Sequence, residues 1–475
     1  MSMPTRCGVA ALAAVILVAA ASAQPRPEPS GSAVDVETLA HFQALVRMDT
    51  SDPPGNEKPA ADYLVQVLER EGIPVQVFAR EGHRPNVVAR LQGNGTKRPL
   101  LIMGHTDVVN VDPAKWQHPP FSAARDGDHI YGRGTIDDKD NVTAALMTML
   151  LLKRNFVPLE RDVIFLAEAG EEGSTDIGIE FMVAEHYSAI AAEYCLAEGG
   201  GVTRVGGEVR YASVQTGEKI PKGIDLIARG VAGHGSVPLE TNPIARLARA
   251  INAVTQWQPP VVLNATTRAY FTGLAEISEP ALARHYRDVL SADPAAVAAA
   301  DAWLRANEPR HASMLRTSVS PNIVQGGYRN NVIPSEARAT LDVRLRPDDD
   351  GEAFRAELER VIADSGVEVV FNGFGERSPA AVSPIDGEAF VTVERGIREH
   401  YATTTLPTMS TGATDMSFLR AKGMQCYGIG PAADLEDGPK GFGAHSDQER
   451  IIEAELYRFV RFHYDIVATL AGAAE

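Results

Sequence analysis

The chain has 475 residues, 44% of them apolar and 23% charged, with a formal net charge of −17. That length exceeds what a single hydrophobic core normally serves, so two domains are expected. The acidity excludes a nucleic-acid partner, whose phosphates require a basic face.

Arg6 precedes an apolar run from Val9 to Ala21, and Ala21-Ser22-Ala23 before Gln24 has the small-x-small form of a signal-peptidase site. The run is shorter than the roughly 20 residues of a membrane-spanning helix. A secreted or periplasmic chain without a stable membrane anchor is expected, with a signal peptide over residues 1–23 and a Pro/Ser/Gly tether over 24–34. The mature chain keeps Cys195 and Cys426. These form one disulfide or, as is commoner for cysteines inside apolar runs, two buried thiols.

From Val36 to Tyr211 helix-like and strand-like segments alternate. Glu57–Glu71 has helical spacing of apolar residues, and Val142–Leu152 reads as a buried helix. Short apolar runs at 86–91, 99–103, 162–167 and 194–197 read as strands. Strands that are apolar throughout, separated by helices, imply an α/β sheet covered on both faces. Near Thr216 the pattern changes to strand (224–228), helix (243–254), strand (336–346), helix (351–363) and strand (367–371). An Ala-rich helical excursion interrupts it at about 280–315. The α/β alternation resumes near Ser378 and closes on an amphipathic helix at 453–470. The expected organisation is a catalytic α/β domain over 35–215 and 376–475, with residues 216–375 inserted as a smaller α+β domain.

Chemistry concentrates where the apolar runs end. His105 and Asp107 are two apart in an extended segment, so they project to one face beyond the strand's carboxyl end. Open α/β sheets bind ligands in that crevice. The loop "YGRGTIDDKD" (131–140) is Gly-rich, yet it fits neither phosphate-binding glycine pattern, and its own carboxylates argue against a phosphate. Glu171 and Glu172 follow another apolar run, Glu198 follows a third, and His445 precedes the last helix. A mixed imidazole and carboxylate set suits Zn²⁺, and a pair of such ions suits a bridging Asp or Glu.

The motifs "MGHTDVV", "YGRGTIDDKD", "EEGS", "LAEGG", "GVAGHGS", "RNNVIPSEARATLDVRLRP", "TGATDMSF" and "GAHSDQE" run in that order over nearly the whole mature chain. In this the sequence resembles the M20 family of metallopeptidases and aminoacylases, which includes carboxypeptidase G2-like, carnosinase and carboxypeptidase S-like enzymes. The resemblance implies a mixed-sheet zinc-exopeptidase domain and an inserted ferredoxin-like lid or dimerisation domain. It implies two Zn²⁺ per subunit, with Co²⁺ or Mn²⁺ as substitutes. His105 and Glu198 would hold one ion, Glu172 and His445 the other, and Asp137 would bridge them, followed by a cis peptide bond. Asp107 would orient the His105 ring, and Glu171 would act as general base. His234 would stabilise the oxyanion, often across a homodimer interface. Arg344, Asn331, Gly412 and Thr414 would contact the substrate, a small peptide or N-acyl amino acid with a free carboxylate. An aminoacylase, or an inactive metal- or peptide-binding relative, is the alternative. In "EAGEEGS" the residue that the family places between the Glu pair and Gly-Ser is missing, which leaves the loop register open.

Overall fold

The computed structural model describes residues 32–375 and 377–472. The signal peptide and residues 24–31 of the tether lie outside the described residues. Helix begins at Ala33, where the Ser32 side chain caps the Asp35 N–H at 3.1 Å, so the last two tether positions are helical.

A ten-stranded mixed sheet forms the larger layer. At its centre the strands Val163–Glu168, Leu100–His105 and Tyr194–Ala197 run parallel to one another. All their residues are buried, because successive side chains enter two different cores. Leu100, Ile102, Phe165 and Leu196 pack with the helices Lys139–Arg154 and Glu453–Ala471. Leu101, Met103, Leu166 and Cys195 pack on the opposite face with Ile179–Glu185 and Met416–Ala421. Each fully buried aliphatic side chain there contributes about 1.5–3 kcal/mol. Cys195 and Cys426 are register partners on adjacent strands, and both are free, buried thiols.

The second sheet has four antiparallel strands, in the order Ser318–Gly326, Glu336–Leu345, Ile220–Arg229 and Val367–Phe371. The helices Pro243–Gln256 and Gly351–Ile362 cover it, and their Leu247, Ala250, Val254 and Leu358 meet Ile224, Leu226 and Leu341. With Ser318–Gly326 included the order is βαββαβ, a ferredoxin-like arrangement. That strand is hidden in the sequence because it is an exposed edge with Pro321 and a register shift beside it, which erases the alternating pattern.

The helical excursion starts earlier than expected, at Ala265, and comprises four helices ending at Met314. It lies within the chain of the inserted unit but packs on the large sheet. Phe271, Leu274 and Tyr286 share a core with Leu406, with Tyr211 against its margin.

The chain passes between the sheets twice, side by side. Ser383 N–H donates to Thr216 O at 2.7 Å and Gly223 N–H to Phe374 O at 3.0 Å. Gly375 has φ +70°, and a Cβ there would lie 2.7 Å from Pro221 O, so only glycine fits. Lys219 sits at the first crossing, fully buried, with Nζ donating to Ser313 and Ser318 hydroxyls at 2.9 and 3.0 Å. Burial, with Arg316 and Arg344 adding, lowers its pKa to about 7. An unfolded lysine holds its proton up to about pH 10.4, so this residue costs the fold stability as pH falls from there toward 7. Lys219→Met therefore loses up to about 4 kcal/mol of its stability relative to wild type on going from pH 7 to pH 10. Denaturant unfolding at both pH values checks this, and a pH-independent difference between the two proteins sinks it.

Candidate metal centre

Because the three central strands are parallel, their carboxyl ends share one rim. His105 ends one strand, Glu168 ends its neighbour, and Glu198 follows the third directly. Asp137 and Asp138 precede the helix Lys139–Arg154; burial raises the Asp138 pKa well above the ordinary carboxylate range. The peptide between them is cis. His445 comes from the loop before the final strand and helix and is the exposed member, 53% against 1% for His105.

These residues form two triads that share one carboxylate. His105, Asp137 and Glu198 make the inner set, and Asp137, Glu172 and His445 the outer; within each set the donor atoms lie within 4.8 Å of one another. His105 Nε2 is 3.1 Å from Asp137 Oδ1, while His445 Nε2 is 3.0 Å from Asp137 Oδ2 and 2.9 Å from Glu172 Oε1. The other His105 nitrogen, Nδ1, lies 3.1 Å from the Asp107 carbonyl. That bond assigns the proton to Nδ1 and leaves the Nε2 lone pair for a ligand.

Asp107 does more than orient that ring. Its Oδ1 accepts the N–H groups of Gly170 (2.8 Å) and Glu171 (3.2 Å), and its Oδ2 accepts that of Glu172 (3.0 Å). Burial alone would raise its pKa, but His105 and the loop amides hold it below the ordinary carboxylate range. Gly170 at φ +78° turns the chain off the strand, with Ser174 N–H closing on its carbonyl at 2.8 Å. This clamp and turn settle the loop register: Glu172 joins the outer triad, and Glu171 stays outside both sets.

The donor chemistry fits divalent cations. Burial first, then neighbouring carboxylates, Glu198 and Asp415 for Glu171 and Asp138 and Asp137 for Glu198, push both carboxyls well above their ordinary values. Such a cluster costs several kcal/mol unless compensated. Two imidazoles with three carboxylates, one of them shared, are a donor set that suits Zn²⁺, Mn²⁺ or Co²⁺.

Residues 101–469 match the model of Peptidase family M20/M25/M40. The chain belongs to that family. Among its relatives, human N-fatty-acyl-amino acid synthase/hydrolase PM20D1 is 28% identical over 343 residues, covering 68% of this chain and 64% of the human protein. The chain thus spans less than two thirds of that relative's length. Rat aminoacylase-1B (Rattus norvegicus) is 24% identical over 436 residues, 91% of this chain and 94% of its own. The fold matches that of the M20 family metallo-carboxypeptidase Sso-CP2 from Sulfolobus solfataricus with a TM-score of 0.67 at 21% identity, covering 91% and 98% of the two chains.

The remaining expected site residues of this M20 chain divide into two groups. Thr414 is buried beside the centre, lining a small cavity of about 10 Å³ with His105, Glu168, Glu198 and Asp415. Gly412 sits in an exposed turn, its N–H donating to Ser410 Oγ. His234, Asn331 and Arg344 belong to the inserted unit. The His234 ring is exposed and bonded to Ser236, Asn331 O accepts the Gly235 N–H, and Arg344 is paired with Asp342 at 2.8 Å. None of these three joins the two triads.

Further buried acids border this M20 centre, among them Asp138, which accepts the His105 N–H at 3.2 Å. Glu168 and Asp415 face the cavity, with Glu168 Oε2 and both Asp415 oxygens lacking hydrogen bonds among the described residues. Glu449 accepts from Arg133 Nη1 (2.6 Å) and Ile136 N–H (3.0 Å), fixing the loop that presents Asp137. Glu168 ends its strand as an acid, but it lacks the acidic neighbour that singles out the Glu171–Glu172 pair.

Proposed function

We propose that this chain is an exported two-metal hydrolase that cleaves a peptide or N-acyl amino acid bond next to a free carboxylate. The observation that carries this is the pair of triads sharing Asp137, with Glu171 beside them but in neither. His105 and Glu198 would hold one ion, Glu172 and His445 the other, and Asp137 both; Zn²⁺ is the expected metal, with Co²⁺ or Mn²⁺ as substitutes. Bound ions supply Lewis acidity that polarises the scissile carbonyl and acidifies water. Positive charge in the triads also favours the ionised form of Glu171. Glu171 accepts the proton of the attacking water and passes it to the departing amine. His105 is buried and His445 exposed, which leaves approach to the carbonyl from the His445 side.

Arg344, Asn331, Gly412 and Thr414 are assigned to the substrate by resemblance, with Arg344 offering a planar fork to a carboxylate in exchange for Asp342. His234, exposed on the inserted unit, would serve the oxyanion, with a homodimer through that unit as the route. The likeness to an N-fatty-acyl-amino acid synthase/hydrolase and to an aminoacylase supports N-acyl amino acids beside peptides as substrates. A panel of dipeptides and N-acyl amino acids, each as free acid and as C-terminal amide, tests the proposal. Turnover of the acids alone, abolished by a chelator and restored by zinc, is expected; equal turnover of the amides removes the carboxylate requirement. Export is tested by N-terminal sequencing of the extracytoplasmic chain, which should begin near Gln24.

A further inference from the structure

Both crossings between the sheets end on one residue of the metal-centre cavity. On the outgoing crossing, Glu218 accepts the Thr414 N–H at 3.1 Å and the Thr414 hydroxyl at 2.7 Å. On the returning crossing, Arg377 donates to the Thr414 carbonyl at 2.5 Å and to the Ser417 hydroxyl at 3.1 Å. The N–H, hydroxyl and carbonyl of Thr414 are all held by these two side chains. Glu218 also accepts from Gln215 at 2.7 Å and Arg420 at 3.1 Å, and its Oε1 stands 3.9 Å from Arg377. The Arg377 guanidinium lies over the Phe418 ring, 4.9 Å from its centroid.

The loop held in this way needs an anchor. Thr411, Gly412 and Ala413 precede Thr414 as a bend at the end of the strand Thr405–Ser410, and Gly412 is exposed. Asp415 is 2% exposed, neither of its oxygens is hydrogen-bonded among the described residues, and Arg377 Nη2 stands 3.8 Å from its Oδ1. Without that guanidinium the Asp415 charge would face a cavity already lined by Glu168 and Glu198. Like charges held together in a buried space push their carrier apart, and the carrier here is the segment proposed above to contact the substrate.

We infer that Arg377 and Glu218 are positioning residues of the hydrolytic site: they fix Thr414 and Asp415 against His105 and Glu198, and so tie substrate placement to the seating of the inserted sheet. This rests on the proposed hydrolase function for its kinetic consequence, but not for its structural one. Two ion pairs that merely stiffened the fold would cost melting temperature. Arms reaching one pocket residue from both crossings instead cost substrate alignment, and a small misplacement there lowers turnover disproportionately.

The test compares wild type, Arg377→Met, Arg377→Lys and Glu218→Gln as full-length, zinc-loaded chains, using the best substrate of the panel. Arg377→Met keeps the apolar contact with Phe418 but loses charge and fork. It is expected to lower kcat/KM on the order of 10–100-fold, mostly through kcat, at wild-type metal content. Arg377→Lys, which keeps the charge, recovers part of the loss. Deuterium exchange without substrate should quicken in 411–418, where the Ser417 and Phe418 N–H groups bond to Thr414 and Asp415 carbonyls, while 100–107 and 163–174 stay protected. Unchanged kcat and KM with unchanged exchange overturn the inference, as does faster exchange across the whole chain with a matching fall in melting temperature. If wild type hydrolyses nothing on the panel, the proposed function fails, and the exchange result still decides this inference.

Discussion

Glu171→Gln lowers kcat by about 10²–10⁴-fold while metal content stays at the wild-type level. The reason is positional: Glu171 has its N–H fixed by Asp107 yet contributes to neither triad. The glutamine amide keeps the shape but cannot take a proton from water. A second consequence separates this from a ligand loss. In the metal-free chain burial and the charges of Glu198 and Asp415 raise the Glu171 pKa, so the neutral variant melts higher than wild type after chelation. Steady-state kinetics, metal analysis and melting curves with and without chelator read all three. A variant that loses metal along with activity would make Glu171 a ligand, and one that keeps its activity would remove it from the proton path.

Asp107→Asn is expected to weaken metal binding about 10–100-fold, since it disturbs the groups that aim the ligands. Asparagine has one acceptor oxygen where the wild type uses two, so a loop N–H meets an NH₂ group. An unsatisfied buried donor costs about 1–3 kcal/mol, enough to free the Gly170–Glu172 turn and with it the outer triad. Competitive metal titration and the melting temperature of the loaded protein measure the effect. Metal affinity equal to wild type would show that the turn holds its shape without the clamp.

The sequence exposed much of the candidate site because strand ends are marked by a break in apolar residues, and His105, Glu172 and Glu198, with Glu171 beside them, all fall on such breaks. Parallel strands then bring those breaks to one rim. Asp107 was legible as a neighbour of His105, but its clamp on residues 63–65 positions away depends on two loops meeting. Arg377 and Glu218 were invisible for the same reason: Glu218 ends a strand of the large sheet, Arg377 follows the last strand of the inserted one, and only the folded chain brings both to Thr414. The edge strand at 318–326 was lost because exposure removes the hydrophobic signal that defines a strand. His234 and Arg344 were singled out by resemblance alone, and the fold gives them partners on their own unit.

The four helices between Ala265 and Met314 have a consequence for engineering. By chain order they belong to the inserted unit, so an excision joining Lys219 to Arg377 would look like removal of one module. It would also strip Phe271, Leu274 and Tyr286 from over Leu406 and leave that flank of the large sheet bare. Bare apolar flanks of that kind associate. The inserted unit is a graft whose roots have grown into its host, and a shortened enzyme would need residues 265–314 retained on a new connection.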